Sequence, residues 1–125
     1  MVVLDTCAMI ELLKSSPSFT TKTFKQMDEG ACIMSISFAE IACKVKMNKL
    51  SLSISVKELY KKFCQIKHIE IIDIGVDAWL SSIDLDWPHN KDPADRLITA
   101  FAMKNEFAIV TNDKQIRKYY QRVIW

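Results

Sequence analysis

Glycine is nearly absent: Gly30 and Gly75 are the only two in 125 residues, alongside three prolines. Two isolated glycines cannot form a Gly-rich loop that cradles phosphates. No Pro/Gly-rich linker, internal repeat or low-complexity tract divides the chain, and its length suits one domain over residues 1–125. No apolar run approaches the roughly 20 residues that cross a bilayer, so no membrane association is expected. No basic region followed by an apolar signal core precedes Asp5. Nor does either charge dominate. Seventeen basic and 15 acidic residues give a net charge of +2, which suits a polyanionic partner without requiring one. Cys7, Cys32, Cys43 and Cys64 lack paired metal-ligand spacing and lie among apolar residues. They are expected to be reduced and buried, in a cytoplasmic protein.

Half of the residues are apolar, enough for a substantial core without disulfides or structural metal. Short apolar runs at 2–4, 31–36, 68–72 and 107–111 read as strands, the first of a kind that suits burial on both faces of a parallel sheet. A possible edge strand lies at 123–125. Helical patterns separate them. Thr6 is expected to cap a helix through Leu13, a second helix spans about 18–29 up to Gly30, and Asn48 closes a third. Ser37-Phe38-Ala39-Glu40 and Ser55-Val56-Lys57-Glu58 have the form of capping boxes, making 37–66 a helical hairpin. Val76, Trp79, Leu80 and Ile83 mark a short helix. Pro93 suits a first helical position, with Asp92 as cap and Asp95 two residues on. A last helix spans 113–120. Strands alternating with helices predict an α/β fold: a central parallel sheet of four or five strands, covered by helices on both faces.

In open α/β sheets ligands bind beyond the carboxyl ends of the strands. Asp5, Glu40 and Asp113 each fall where a strand hands over to a helix, and the helix starting at Asp92 enters from the same end. Capping alone accounts for any one of these acids. It does not require the helix starts to gather at one sheet edge. Asp5 is the hardest to assign to capping, because an acid directly after a buried strand gains little from the core. A shared carboxylate cluster suits a hard cation, Mg²⁺ or Mn²⁺, and phosphodiester cleavage. Other chemistries lack their parts. No family signature pairs Cys7 with His68 or His89 as a cysteine hydrolase. An aspartyl phosphatase would want a second Asp where Cys7 stands, and a receiver domain a Lys after a late strand.

Val3-Leu4-Asp5-Thr6, Ser35-Ile36-Ser37-Phe38-Ala39-Glu40-Ile41, Asp92-Pro93-Ala94-Asp95-Arg96-Leu97-Ile98-Thr99-Ala100 and Ile109-Val110-Thr111-Asn112-Asp113, with a terminal Trp125, resemble the PIN-domain family. Within it they resemble the VapC-type toxins of toxin–antitoxin pairs. The resemblance covers nearly the whole chain. It implies an acidic quartet of Asp5, Glu40, Asp95 and Asp113, with Thr6 and Thr111 as hydroxyl neighbours. It also implies Mg²⁺- or Mn²⁺-dependent endoribonuclease activity leaving a 5′-phosphate and a 3′-hydroxyl. Asp5 and Asp95 are then primary metal ligands, Glu40 a ligand or water-positioning base, and Asp113 a supporting or second-metal ligand. Asp92 is read as a cap. Arg96 and Lys91 are candidates for substrate phosphate. The implied partners are RNA, a cognate antitoxin docking on the 37–66 hairpin, and a second copy of the chain, in a homodimer or larger assembly. Two other readings stay open: a non-catalytic RNA- or protein-binding module of the same fold, and a Mg²⁺-dependent phosphatase.

Overall fold

The computed structural model describes residues 1–88 and 90–125. In chain order the elements are β1 (Val2–Leu4), α1 (Thr6–Leu12), α2 (Thr21–Asp28), β2 (Ala31–Met34), α3 (Ile36–Lys46), α4 (Val56–Cys64), β3 (Ile69–Ile72), α5 (Val76–Ile83), α6 (Pro93–Asn105), β4 (Ala108–Val110), α7 (Lys114–Tyr119) and β5 (Val123–Ile124). The strands form one sheet in the order β3-β2-β1-β4-β5, and every pairing is parallel. The expected α/β architecture forms, with five strands.

Alternation along the strands divides the core in two. Val2, Leu4, Ala31, Ile33 and Val110 face one side, packing with Met9, Ile41, Leu59 and Phe63. Val3, Cys32, Met34 and Ile109 face the other, with Ile98, Ala102 and Ile116. A strand covered on both faces must be apolar at consecutive positions, which is why β1 and β2 show no polar residue. Burying each large aliphatic side chain contributes about 1.5–3 kcal/mol. Register then positions the site: Leu4 pairs with Ile33 and Val110, so the residues that follow these strands emerge along one edge.

Several helix starts differ from expectation. Asp5, not Thr6, caps α1, its side chain accepting from Thr6 N. α2 begins at Thr21 rather than near 18, because buried Phe19 packs edge-on against Trp125 and Phe24 and Thr20 is the cap. β2 ends at Met34 and α3 begins at Ile36, so Ser37 lies inside the first turn and the first capping box does not form. Ser55 does cap α4, its Oγ accepting from Glu58 N at 3.1 Å. Gly30 follows α2 at φ +144°, which disfavours any side chain, and Asn48 closes α3 in the left-handed region at φ +56°.

The cysteines also depart from the uniform burial expected of them. All are free, but only Cys32 is buried; Cys7 is half-buried, and Cys43 and Cys64 are exposed. On α4 the buried positions are Leu59 and Phe63, which leaves Cys64 on the solvent side. On α5, Val76, Leu80 and Ile83 are 72%, 59% and 71% exposed, so that apolar stripe makes a helix without burying it. No helix among the described residues is long and apolar enough to cross a membrane.

Candidate active site

Asp5 leaves β1 where Asp5 N donates to Val110 O, tying the start of α1 to the end of β4. It is buried. Its Oδ1 accepts from Thr6 N at 2.7 Å, and its Oδ2 from Thr111 Oγ1 at 2.8 Å and from the Cys7 thiol at 3.3 Å. These bonds favour the carboxylate, yet desolvation outweighs them and its pKa is raised, with nearby Asp113 adding to the rise. The Cys7 thiol is itself pushed up to about 12, first by burial and then by the Asp5 charge.

Thr6 joins α1 to α3. Its hydroxyl donates to Glu40 Oε1 at 2.8 Å and lies 2.9 Å from the buried Ser37 Oγ. Burial raises the pKa of Glu40, Thr6 opposes the rise, and Asp92 and Asp5 reinforce it; Lys44 works the other way. Asp95 stands in the first turn of α6, where Asn90 Nδ2 donates to its Oδ2 at 3.0 Å. Burial first, then the charges of Asp92, Asp5 and Asp113, carry its pKa to about 7 against the Asn90 bond. Asp113 caps α7, accepting from Ile116 N at 2.9 Å, and Thr111 Oγ1 accepts from Asp113 N at 3.0 Å. Thr111 therefore fixes two acids with one hydroxyl. Thr111→Val keeps the side chain's shape and removes both bonds. It is expected to destabilise the fold by about 1–3 kcal/mol and to weaken metal binding about tenfold, as read by thermal melts and Mn²⁺ titration.

Asp5, Glu40, Asp92, Asp95 and Asp113 all line one cleft of about 280 Å³ at the carboxyl ends of the strands. Lys44 is the one basic residue lining it among the described residues. The four acids singled out in the sequence thus meet, joined by Asp92, which also caps α6 through Ala94 N and Asp95 N. Residues 2–121 match the family model described as PIN domain.

The chain belongs to the PIN domain family.

One relative, Ribonuclease VapC22 of Mycobacterium tuberculosis, is 26% identical over 79% of this chain and 74% of its own length. Among solved structures, a toxin–antitoxin complex from Klebsiella pneumoniae aligns over all of this chain and 97% of that one (TM-score 0.69, 17% identity). FitAB bound to an IR36 DNA fragment aligns over all of this chain and 94% of that one, at a TM-score of 0.65 and 18% identity. A FitAcB structure from Neisseria gonorrhoeae gives 0.59 and 19%, again over the full chain and 97% of its own. At these identities the structural matches establish the PIN fold.

The PIN cleft offers oxygen donors, the kind that hard cations prefer. Among the described residues, no three Asp, Glu, His or Cys side chains stand close enough to enclose a metal ion unaided. The clustered carboxylates and the raised pKa values of Asp5, Glu40 and Asp95 describe a site short of positive charge, with Lys44 the one basic residue lining it among the described residues.

Two expected phosphate contacts fall elsewhere. Lys91 is exposed on the loop before α6 and does not line the cleft. Arg96 is corrected from phosphate contact to internal clamp, because all five of its N–H groups donate to main-chain carbonyls between Ser82 and Asn90. His89 lies outside the described residues, and His68 sits 3.7 Å from Asp28, away from the cleft. The sequence reading missed Lys44 and Asn90. The i, i+4 spacing of Glu40 and Lys44 on one helix was a usable signal for the first. Asn90 reaches Asp95 from an irregular loop, which leaves no periodicity to read.

Proposed function

We propose that this PIN domain is a divalent-metal-dependent endoribonuclease, the toxin of a toxin–antitoxin pair acting in the cytoplasm. The observation that carries the reading is the cleft itself: carboxylates from four separate chain segments share one space with a single lysine among the described residues. Similarity to a ribonuclease supports RNA as substrate, and four unpaired cysteines suit a reducing compartment.

Asp5 and Asp95 are the primary ligands for Mg²⁺ or Mn²⁺ in this reading, with Asp113 supporting them or holding a second ion. A divalent cation bound there supplies Lewis acidity at a phosphate oxygen and a water that ionises near neutral pH. Glu40, whose Oε1 accepts from the Thr6 hydroxyl, would be placed to orient an attacking water and accept its proton. Thr111 keeps the Asp5 carboxylate turned to its task. Lys44 offers the cleft's positive charge to the scissile phosphate, and Lys91 is free for backbone contact outside it. Attack by water leaves a 5′-phosphate and a 3′-hydroxyl. Incubating the protein with pooled structured RNA, with and without EDTA, tests this: Mg²⁺-dependent cleavage is expected, and cleavage that persists in EDTA would contradict it.

The non-catalytic reading draws on a specific observation, that Asp5, Asp92 and Asp113 each cap a helix. Under it the RNA is bound without metal and left intact in the same assay.

Toxin–antitoxin complexes among the structural neighbours support an antitoxin partner. The expected site on the 37–66 hairpin narrows to its second helix. A groove of about 370 Å³ runs between α1, α2 and α4, lined by Leu12, Leu13, Phe24, Leu59, Phe63 and Ile66. An amphipathic antitoxin helix suits such a groove. Ile10 lines the acidic cleft and Leu13 the groove, so one antitoxin segment lying along α1 could bring a basic side chain to the acids. Leu13→Glu, at a position already 39% exposed, is expected to weaken the complex about 100-fold while RNA cleavage stays unchanged. Unchanged antitoxin affinity in sedimentation would remove this placement. The free protein is expected to sediment as a homodimer in the same runs.

A further inference from the structure

Arg96 follows Asp95 in sequence but works on a different part of the fold. Its Nε donates to Ser82 O at 2.9 Å, Nη1 to Trp87 O at 2.6 Å and Asn90 O at 2.8 Å, and Nη2 to Leu85 O at 2.8 Å and Ile83 O at 3.2 Å. The Ser82 and Ile83 carbonyls belong to the last turn of α5, where no helical N–H remains to meet them. The others belong to the irregular segment leading to α6. That segment has a second anchor in Trp87, which is buried and stacks on Tyr119 at 4.5 Å.

The segment ends at Asn90, which is only 6% exposed. Both ends of its amide are engaged: Oδ1 accepts from Asp92 N at 2.9 Å, and Nδ2 donates to Asp95 Oδ2 at 3.0 Å. A buried amide held at its main-chain carbonyl by Arg96 and at its Oδ1 by the N-cap of α6 has little freedom to turn. We infer that Asn90, locked by Arg96, is a positioning residue that fixes the Asp95 carboxylate for a cation, holding Oδ2 and leaving the other oxygen to the cleft. The two neighbours on α6 thus divide the work: Asp95 supplies the donor, and Arg96 builds the support that returns to orient it. Hydrogen-bond partners behind a metal ligand typically contribute 10–100-fold in affinity by setting its orientation. The inference rests on the metal-site reading above.

Mn²⁺ binding to the metal-free full chain, followed by electron paramagnetic resonance without RNA, tests it. Asn90→Ala is expected to bind Mn²⁺ about tenfold more weakly, with a metal-free melting temperature lowered by about 5–10 °C at most. Arg96→Lys keeps the charge but loses the planar fork. It is expected to show the same loss of affinity together with a lower melting temperature, and if it fails to fold, Asn90→Ala decides. Wild-type affinity in Asn90→Ala would overturn the inference, even if the melting temperature fell, since Asn90 would then serve only the loop. Absence of Mn²⁺ binding by the wild-type protein would overturn the metal-site reading and this inference together.

Discussion

Asp95→Asn is expected to leave the metal-free protein at least as stable as wild type at pH 8 and to remove most of the stabilisation that Mn²⁺ or Mg²⁺ confers. Asp95 titrates near 7 instead of near 3.8, because burial and the charges of Asp92, Asp5 and Asp113 disfavour its ionised form. A carboxyl whose pKa rises on folding stabilises the fold fully below its unfolded value, and that contribution is lost as pH climbs through the folded value. For Asp95 the window is about pH 4 to 7, and the raised values of Asp5 and Glu40 act in the same direction. Glu11 has the opposite sign: hydrogen bonds from Lys14 and Ser18 hold it at about 2, so its contribution fades only on acidification through the range from 4.5 to 2. Melts in EDTA at pH 5.5 and pH 8 therefore isolate the cleft. Wild type is expected to melt at least about 5 °C lower at pH 8 than at pH 5.5, and Asp95→Asn to show less of that difference. Saturating Mn²⁺ restores wild type by binding the folded state alone. A mutant that keeps the full metal-induced shift would remove Asp95 from the site.

Asp5→Asn is expected to lower RNA cleavage about 10³-fold, or about 4 kcal/mol of transition-state stabilisation. Asn retains the oxygen that caps α1 but not the charge, so the helix start survives while the cation loses a ligand. Asp5 stands at the centre of the cleft's hydrogen bonds, tied to Thr6, Cys7 and Thr111. Asp113→Asn should behave differently: its Oδ1 already serves Ile116 N, a task Asn performs equally well. A loss of about tenfold with an unchanged melting temperature is expected there. Equal cleavage by wild type and Asp5→Asn would exclude Asp5 from the chemistry.

The sheet and the gathering of the acids were legible because both follow from short-range rules. Continuous apolar runs at 2–4 and 31–34 mark strands buried on both faces, and parallel crossovers bring the residues after each strand to one edge. Asp92 read correctly as a cap because Pro93 defines the first helical position. What the sequence left obscure depended on tertiary context. Ser37-x-x-Glu40 has the capping-box form, but β2 stops at Met34 and the helix begins early, so Ser37 and Glu40 meet Thr6 instead. Arg96 beside Asp95 resembled a phosphate contact. Only the folded positions of Ser82, Ile83, Leu85, Trp87 and Asn90 reveal five carbonyls converging on it. The stripe on α5 correctly gave a helix, yet periodicity alone does not state whether anything covers the stripe.

Titrating Mn²⁺ into the metal-free protein by calorimetry, while measuring RNA cleavage on the same preparation, tests the central claim most directly. Binding and cleavage are expected to rise with a common midpoint, and both to be lost in Asp5→Asn. Cleavage that proceeds at full rate in EDTA, or Mn²⁺ binding that Asp5→Asn leaves intact, would contradict the assignment of the acidic cleft as a metal-dependent active site.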